Sequence, residues 1–346
     1  RESLIGYIEQ SIRQNWEIEA LSNYREQGLT YRQIGEKILM FHTFFKNIGI
    51  KEGDKIALVG RNSANWCTVY LTTVTFSAVI VPILPDFKPE DLINLINHSD
   101  ATLLFIDDKI YETIDLGKIP QVKAIISLDN FNMICATDAG IKEKYLSIEQ
   151  KYLEIYPDLK PEEVKFPGIT NDKLAVISYT GGTTGFSKGV MLTHNSLTAN
   201  VRFAQNHMPL KPGDPVVSFL PLAHTYGCAF EFLFPFTYGC HITILSKTPS
   251  PQIIVQAFKE IKPRLIISVP LVIEKVFKSQ LLPVISKPYM KLLLAIPGIN
   301  KILHKKIRGK LSESFGGRFH EIVIGGAPFN PEAERFFRKI GMNFTV

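Results

Sequence analysis

What this sequence lacks narrows it first. Cysteine is scarce, with 4 in 346 residues. Cys67, Cys135, Cys228 and Cys240 lie far apart, form no C-x-x-C pair and sit mostly within apolar runs. That usage fits buried free thiols in a reducing cytoplasm better than a disulfide framework. No apolar run approaches the ~20 residues that span a bilayer, and no charged-then-apolar leader precedes the first amphipathic segment. The expectation is a soluble protein, at most peripheral to a membrane, although the chain begins at Arg1 and not at Met. Charge of one sign is also lacking: Lys and Arg number 39 against 33 Asp and Glu, a net +6 scattered along the chain. So mild a surplus favours solubility and attraction to small anions and argues against a nucleic-acid partner. Internal repeats are absent. What is present is an apolar share of 45%, which excludes disorder and suffices for two ordinary domains.

The pattern along the chain reads as α/β. Leu4, Ile8, Ile12 and Trp16 mark an amphipathic helix, followed by a hairpin turning at Gln27-Gly28. Thr30 with Gln33 predicts a capping box for a helix that ends at Gly49. Strands and helices then alternate: strands at 56–59, 79–83, 102–106 and 122–128, helices at 62–76 and 89–98. Alternation of this kind predicts a parallel sheet covered by helices. Between Asp129 and Pro167 the pattern loosens, with a helix over 142–156 before Pro157, Pro161 and Pro167. A second series follows, with strands at 174–179, 190–192, 216–220, 242–245, 265–269 and 322–324 and a helix from Asn195 to about His207. The expected architecture is two packed, mostly parallel βα subdomains, 1–170 and 171–346.

The most specific feature is Tyr179-Thr180-Gly181-Gly182-Thr183-Thr184-Gly185-Phe186-Ser187-Lys188-Gly189-Val190, directly after an apolar strand. By composition it is a phosphate loop. Glycines let backbone N–H groups converge, threonines and a serine add hydroxyl donors, and Lys188 adds a full charge. A P-loop requires G-x-x-x-x-G-K-[ST] leading into a helix. Here the sixth position from Gly182 is Ser187, Lys188 precedes Gly189, and a strand follows. A solvated Gly/Thr hairpin tip would need neither the lysine nor the four hydroxyls.

The loop resembles the phosphate signature of adenylate-forming enzymes, Y-T-S-G-T-T-G-x-P-K-G-V, with Gly181 for the serine and Ser187 for the proline. Those changes remove one hydroxyl and loosen the turn before Lys188, but leave the cradle and its charge. The resemblance implies ATP contacts at Thr180, Gly182, Thr183, Thr184, Gly185 and Lys188. Pro221-Leu222-Ala223-His224 is similar to the family's P-L-x-H segment, which implies that His224 lies beside the acyl pocket and the α-phosphate. On its own, a His at a strand end is more often structural. Lys262-Pro263 through Val269-Pro270 to Glu274-Lys275 resembles an element of long-chain acyl-CoA synthetases, though physically it is a strand, a breaker and a helix. Gly325-Gly326-Ala327-Pro328 resembles the family's G-G-A-P turn, implying adenine contacts at Gly325, Gly326 and Ala327. As composition alone it fits a plain strand-to-helix turn equally well.

From Lys275 to Lys310 the chain carries many cations and no acid, interleaved with Leu292, Leu293, Leu294, Ile299 and Leu303. This basic amphipathic stretch, 275–310, fits peripheral contact with an anionic membrane, a solvated helix face or an entrance for CoA phosphates. The Phe run at 230–236 fits an apolar tunnel or, more often, core.

The resemblance implies that a fatty acid is activated by ATP as an acyl-adenylate and passed to CoA, with Mg2+ on the phosphates. Protein-borne magnesium and ribose ligands, and a small carboxy-terminal lid domain, would lie past Val346. The chain as given is therefore expected to bind ATP weakly and not to complete thioester formation. Two further classes stay open: an acyl, aryl or amino-acid adenylating enzyme loading a carrier protein, and a non-catalytic nucleotide or acyl-binding module.

Overall fold

The computed structural model describes residues 2–180, 187–246 and 249–346. Thr30 and Gln33 do form the capping box: Thr30 Oγ1 accepts from Gln33 N–H at 3.2 Å, and Gln33 Oε1 accepts from Thr30 N–H at 2.9 Å. The helix they start, Tyr31–Asn47, buries Tyr31, Ile34, Ile38, Phe41, Phe44 and Phe45. Past its end Gly49 takes φ +78°, the left-handed geometry that ends helices and that glycine adopts without strain.

Among the described residues the strands form three sheets. The largest has seven strands in the order Met133–Ala136, Ala124–Ser127, Leu103–Ile106, Lys55–Val59, Val79–Ile83, Leu174–Thr180, Lys188–Thr193. Its middle five run parallel, and each edge strand is antiparallel to its neighbour. Val79–Ile83 and Leu103–Ile106 are buried throughout, as parallel strands covered on both faces must be. The second sheet is Pro215–Ser218, His241–Ile244, Glu19–Asn23 and Leu29–Thr30. The third is Leu265–Ser268, Glu321–Ile324 and Phe344–Thr345, all parallel.

The parallel α/β class is therefore as expected, while the partition of strands differs. Strands from both sides of residue 170 share the first two sheets. Glu19–Asn23 pairs in parallel with His241–Ile244, and Val79–Ile83 pairs with Leu174–Thr180. Local periodicity reports that a strand exists but not which strand lies beside it. The strand Lys188–Thr193 is the return arm of a hairpin and not a parallel βα step. Met133–Ala136 went unexpected because it is a short, half-buried edge, and the helix expected over 142–156 is two, Ala139–Leu146 and Ile148–Ile155, meeting at Ser147.

Candidate functional site

The strand Leu174–Thr180 turns back as Lys188–Thr193, with Thr180 opposite Lys188 in register. Both residues are exposed, so the two ends of the glycine-threonine loop stand together at a solvent-facing tip. Gly182, Thr183, Thr184 and Gly185 lie outside the described residues. One step down the hairpin, Tyr179 faces Gly189, where a Cβ would sit 3.2 Å from the tyrosine ring. The glycine lets the ring lie across the return strand, and its hydroxyl meets His98 Nδ1 at 2.7 Å. The hairpin is thus anchored to the helix Pro89–His98 of the first sheet's cover.

The segment carrying His224 is held from three directions. Glu231, fully buried, accepts at Oε2 from Ser218 Oγ, Phe219 N–H and Leu220 N–H at 3.1, 3.0 and 2.9 Å. Burial raises the Glu231 pKa well above the usual 4.5, only partly opposed by those hydrogen bonds. Asn62, just after the strand Lys55–Val59, donates to Leu220 C=O at 2.7 Å and accepts from Leu222 N–H at 3.0 Å. Ser178 Oγ reaches Ala223 C=O at 3.5 Å from the strand Leu174–Thr180. His224 itself is exposed at the start of the short helix Thr225–Gly227.

Two residues on, Tyr226 ties this segment to the third candidate element. Its hydroxyl donates to Ser268 C=O at 3.3 Å, the carbonyl that also accepts from Gly325 N–H at 3.0 Å. A Cβ at residue 325 would lie 2.6 Å from the tyrosine hydroxyl, so only glycine allows this packing. Gly326 takes φ +82° and Ala327 is exposed beyond it. Burial raises the Tyr226 pKa further above that of a free phenol, so it stays a neutral donor.

Beside the His224 segment lies a cavity of about 270 Å³, lined among others by Gly60, Asn62, Leu84, Phe219, Pro221, Ala223, Leu245, Val269 and Lys275. Its position is set by topology. Gly60, Leu84, Phe219, Leu245 and Val269 each follow the last residue of a parallel strand, and those strands belong to all three sheets. Ligands of open parallel sheets bind at these carboxyl ends. Asp107 steadies the rim by accepting from Arg61 N–H at 2.8 Å, its pKa pushed up to about 6 mainly by burial. Neither this cavity nor a larger cleft of about 610 Å³ beside Arg32 and Tyr152 is lined by Thr180, Lys188, His224, Gly325, Gly326 or Ala327.

The structure therefore links the Thr180–Lys188 hairpin, the His224 segment and the Gly325–Gly326 turn through Ser178, Ala223, Tyr226 and Ser268. Among the described residues no group of three or more His, Cys, Asp or Glu side chains is placed to hold a metal ion. Asn62, Glu231 and Tyr226 escaped the sequence reading. Only Glu231 left a signal, a lone acid inside the aromatic run 230–236. That run is mostly core: Phe232, Phe234 and Phe236 are fully buried.

Comparison with known proteins places these observations. A family model described as "AMP-binding enzyme" matches residues 8–345. The chain is 25% identical over 341 residues to a long-chain-fatty-acid–CoA ligase 5 of Rattus norvegicus, covering 91% of this chain and 49% of that protein. It is 28% identical over 264 residues to the chloroplastic long-chain-fatty-acid–[acyl-carrier-protein] ligase AEE15 of Arabidopsis thaliana, covering 72% and 35%. Its fold matches the N-terminal domain of FACL13 from Mycobacterium tuberculosis with TM-score 0.71 at 15% identity, over 99% of this chain and 75% of that one. The chain thus spans a third to a half of the length of the curated relatives it matches.

Proposed function

The chain belongs to the AMP-binding enzyme family, and from that premise we propose that the protein of which it forms part is a long-chain fatty acid–CoA ligase. In this reading ATP and a fatty acid meet at the cavity where strand ends of all three sheets converge. That convergence, lined by Pro221 and Ala223 of the His224 segment, which Ser178 ties to the hairpin and Tyr226 to the Gly325–Gly326 turn, is the observation that carries the proposal. The acid's carboxylate attacks the α-phosphorus of ATP and pyrophosphate leaves. The acyl-adenylate then gives its acyl group to the CoA thiol, and AMP departs.

No protein nucleophile is needed, so the residues act by position and charge. Lys188 and Thr180, with the loop residues Gly182, Thr183, Thr184 and Gly185, hold the β- and γ-phosphates and offset the charge of the leaving pyrophosphate. His224 stands on the segment that Asn62 and Glu231 fix beside the cavity, placed to orient the reacting carboxylate against the phosphate. Gly325, Gly326 and Ala327 give the adenine a flat backbone surface. Mg2+ bound to the ATP phosphates would offset part of their negative charge. A reducing, cytoplasmic setting goes with this reading, since all four cysteines are free.

A second reading has a specific observation behind it: the similarity to a ligase named for acyl-carrier protein supports a carrier protein as acceptor in place of CoA. Fatty-acid-dependent ATP–pyrophosphate exchange on the complete natural protein tests the shared first step. Exchange with long-chain acids supports the assignment; exchange with aromatic acids only, or with none, overturns it. Release of AMP with CoA or with carrier protein then separates the two acceptors.

A further inference from the structure

Between Lys275 and Lys310 the sequence has no Asp or Glu. The structure folds this stretch into the helices Pro270–Gln280, Leu282–Ile285, Pro288–Ala295 and Ile299–Ser314. Their inner face is ordinary core: Ile273, Val276, Leu281, Ile307 and Leu311 are buried. Their outer face combines two features that rarely coexist on a solvated surface. Large apolar side chains stand in solvent, Leu271 at 60%, Leu292 at 67% and Ile302 at 60% exposure, with Leu282, Tyr289 and Ile299 also exposed. Between them Lys278, Lys287, Lys301, Lys305 and Lys306 are exposed, and none of the ion pairs among the described residues involves them.

We propose that this face, residues 271–306, docks on the surface of an anionic lipid bilayer. The occupant follows from the two features together. Unpaired cations ask for a polyanion, and the charge complementarity alone would also suit a nucleic acid. Exposed Leu271, Leu292 and Ile302 gain nothing from a phosphodiester backbone, whereas the headgroup–acyl boundary takes apolar side chains and offers anionic phosphates at the same depth. No helix among the described residues is long and apolar enough to cross a membrane, so the contact lies on the surface. Within Ile299–Ser314 the exposed Ile299 and Ile302 belong to the first turn, while Ile307 and Leu311 anchor the rest in the core. The lipid-facing patch is therefore carried on a rigid base.

Flotation of the complete natural protein with vesicles, without ATP or acid, is the test, and its failure would leave the proposed reaction standing. Vesicles of one part phosphatidylglycerol to two parts phosphatidylcholine should carry the protein upward at low salt. Pure phosphatidylcholine should not, and about 0.5 M salt should release it. Each Lys near an anionic surface contributes about 1 kcal/mol, so Lys301→Gln with Lys305→Gln and Lys306→Gln should weaken partition by on the order of 100-fold. Leu292→Ser with Ile302→Ser should weaken it as well, and because all five positions are exposed the variants should keep the wild-type circular dichroism. Absence of flotation at low salt, or flotation of the lysine variant equal to wild type, overturns the proposal. So does a Leu292→Cys variant that resists a water-soluble maleimide at residue 292 before vesicles are added, because the rest of the polypeptide or a second copy would then cover the face.

Discussion

Glu231 Oε2 lies 2.9 Å from the backbone nitrogen of Leu220 and accepts its N–H, as it does those of Phe219 and the Ser218 hydroxyl. One buried carboxyl therefore ends the strand Pro215–Ser218 and aims the chain at Pro221 and His224. Glu231→Ala would leave two backbone N–H groups buried without acceptors and should cost about 2–4 kcal/mol. Glu231→Gln keeps a carbonyl oxygen there and should cost less than half of that. The sign with pH follows from the raised pKa: the wild-type carboxyl contributes fully below its unfolded value of 4.5, and that contribution is lost as pH rises. Urea unfolding at pH 5 and pH 8 should therefore show Glu231→Gln gaining on wild type at the higher pH. A constant gap would mean that Glu231 is ionised in the fold.

How much of this was legible in the sequence differs by element. The capping box at Thr30 and Gln33 and the glycine end at Gly49 were readable because both are local: donor, acceptor and turn lie within a few residues. Thr180 and Lys188 flank a loop that its composition singles out, but that the strand after it returns antiparallel was not readable, because period-2 apolar alternation is the same for either direction. The pairing of Glu19–Asn23 with His241–Ile244 was not readable, since more than two hundred residues separate partners that share only apolar character. Asn62 was hidden for the same reason. Its two hydrogen bonds go to Leu220 and Leu222, and no local pattern marks an asparagine whose partners are backbone groups in another half of the chain.

His194 is fully buried at the start of the helix His194–His207, and neither ring nitrogen has a hydrogen-bond partner among the described residues. Burial, partly opposed by Glu52, lowers its pKa from 6.5 to about 4. The unfolded chain therefore binds a proton between those values that the folded chain does not. Its share of stability is fully present above about pH 6.5 and falls by about 3 kcal/mol as pH drops toward 4. His194→Leu should be as stable as wild type or more so at pH 7, and its advantage should widen toward pH 4.5 in urea titrations. A variant whose advantage stays flat across that range would assign the acid sensitivity elsewhere.

Lys188 is exposed, and its backbone pairs with Thr180 at the tip of the hairpin. Removing its charge should leave the melting temperature of the complete protein within a degree or two, because an exposed side chain away from the core contributes little. It should nevertheless lower the rate of ATP–pyrophosphate exchange by about 100-fold, the scale on which a preorganised charge stabilises a departing anion. Lys188→Arg should recover part of the rate. Equal rates in Lys188→Ala and wild type would remove the residue from the reaction.

Asn62 spans Pro221 from outside, donating to the carbonyl before it and accepting from the N–H after it, at 2.7 and 3.0 Å. Proline has no N–H and the Pro221 carbonyl accepts from His224 N–H, so the Leu220 carbonyl and the Leu222 N–H are the flanking groups left to grip, and a side-chain amide holds both at once. The clamp joins the end of Lys55–Val59 to the His224 segment, across the same cavity that separates strand ends of the first and second sheets. Asn62→Ala should destabilise by about 1–3 kcal/mol from two unpaired backbone groups. Asn62→Asp should be worse despite its similar shape, since a carboxylate accepts from Leu222 but cannot donate to Leu220 and would face its carbonyl. If the clamp only stabilised the fold, both variants would lose exchange activity in proportion to their unfolded fraction. If it also positions His224, the folded Asn62→Ala protein, held at low temperature where it is fully native, should bind ATP with near-normal affinity and yet exchange pyrophosphate at least 10-fold more slowly, a misplacement effect of the size expected when a reacting group moves by a fraction of an ångström. Normal exchange by that fully folded variant would restrict Asn62 to a structural part.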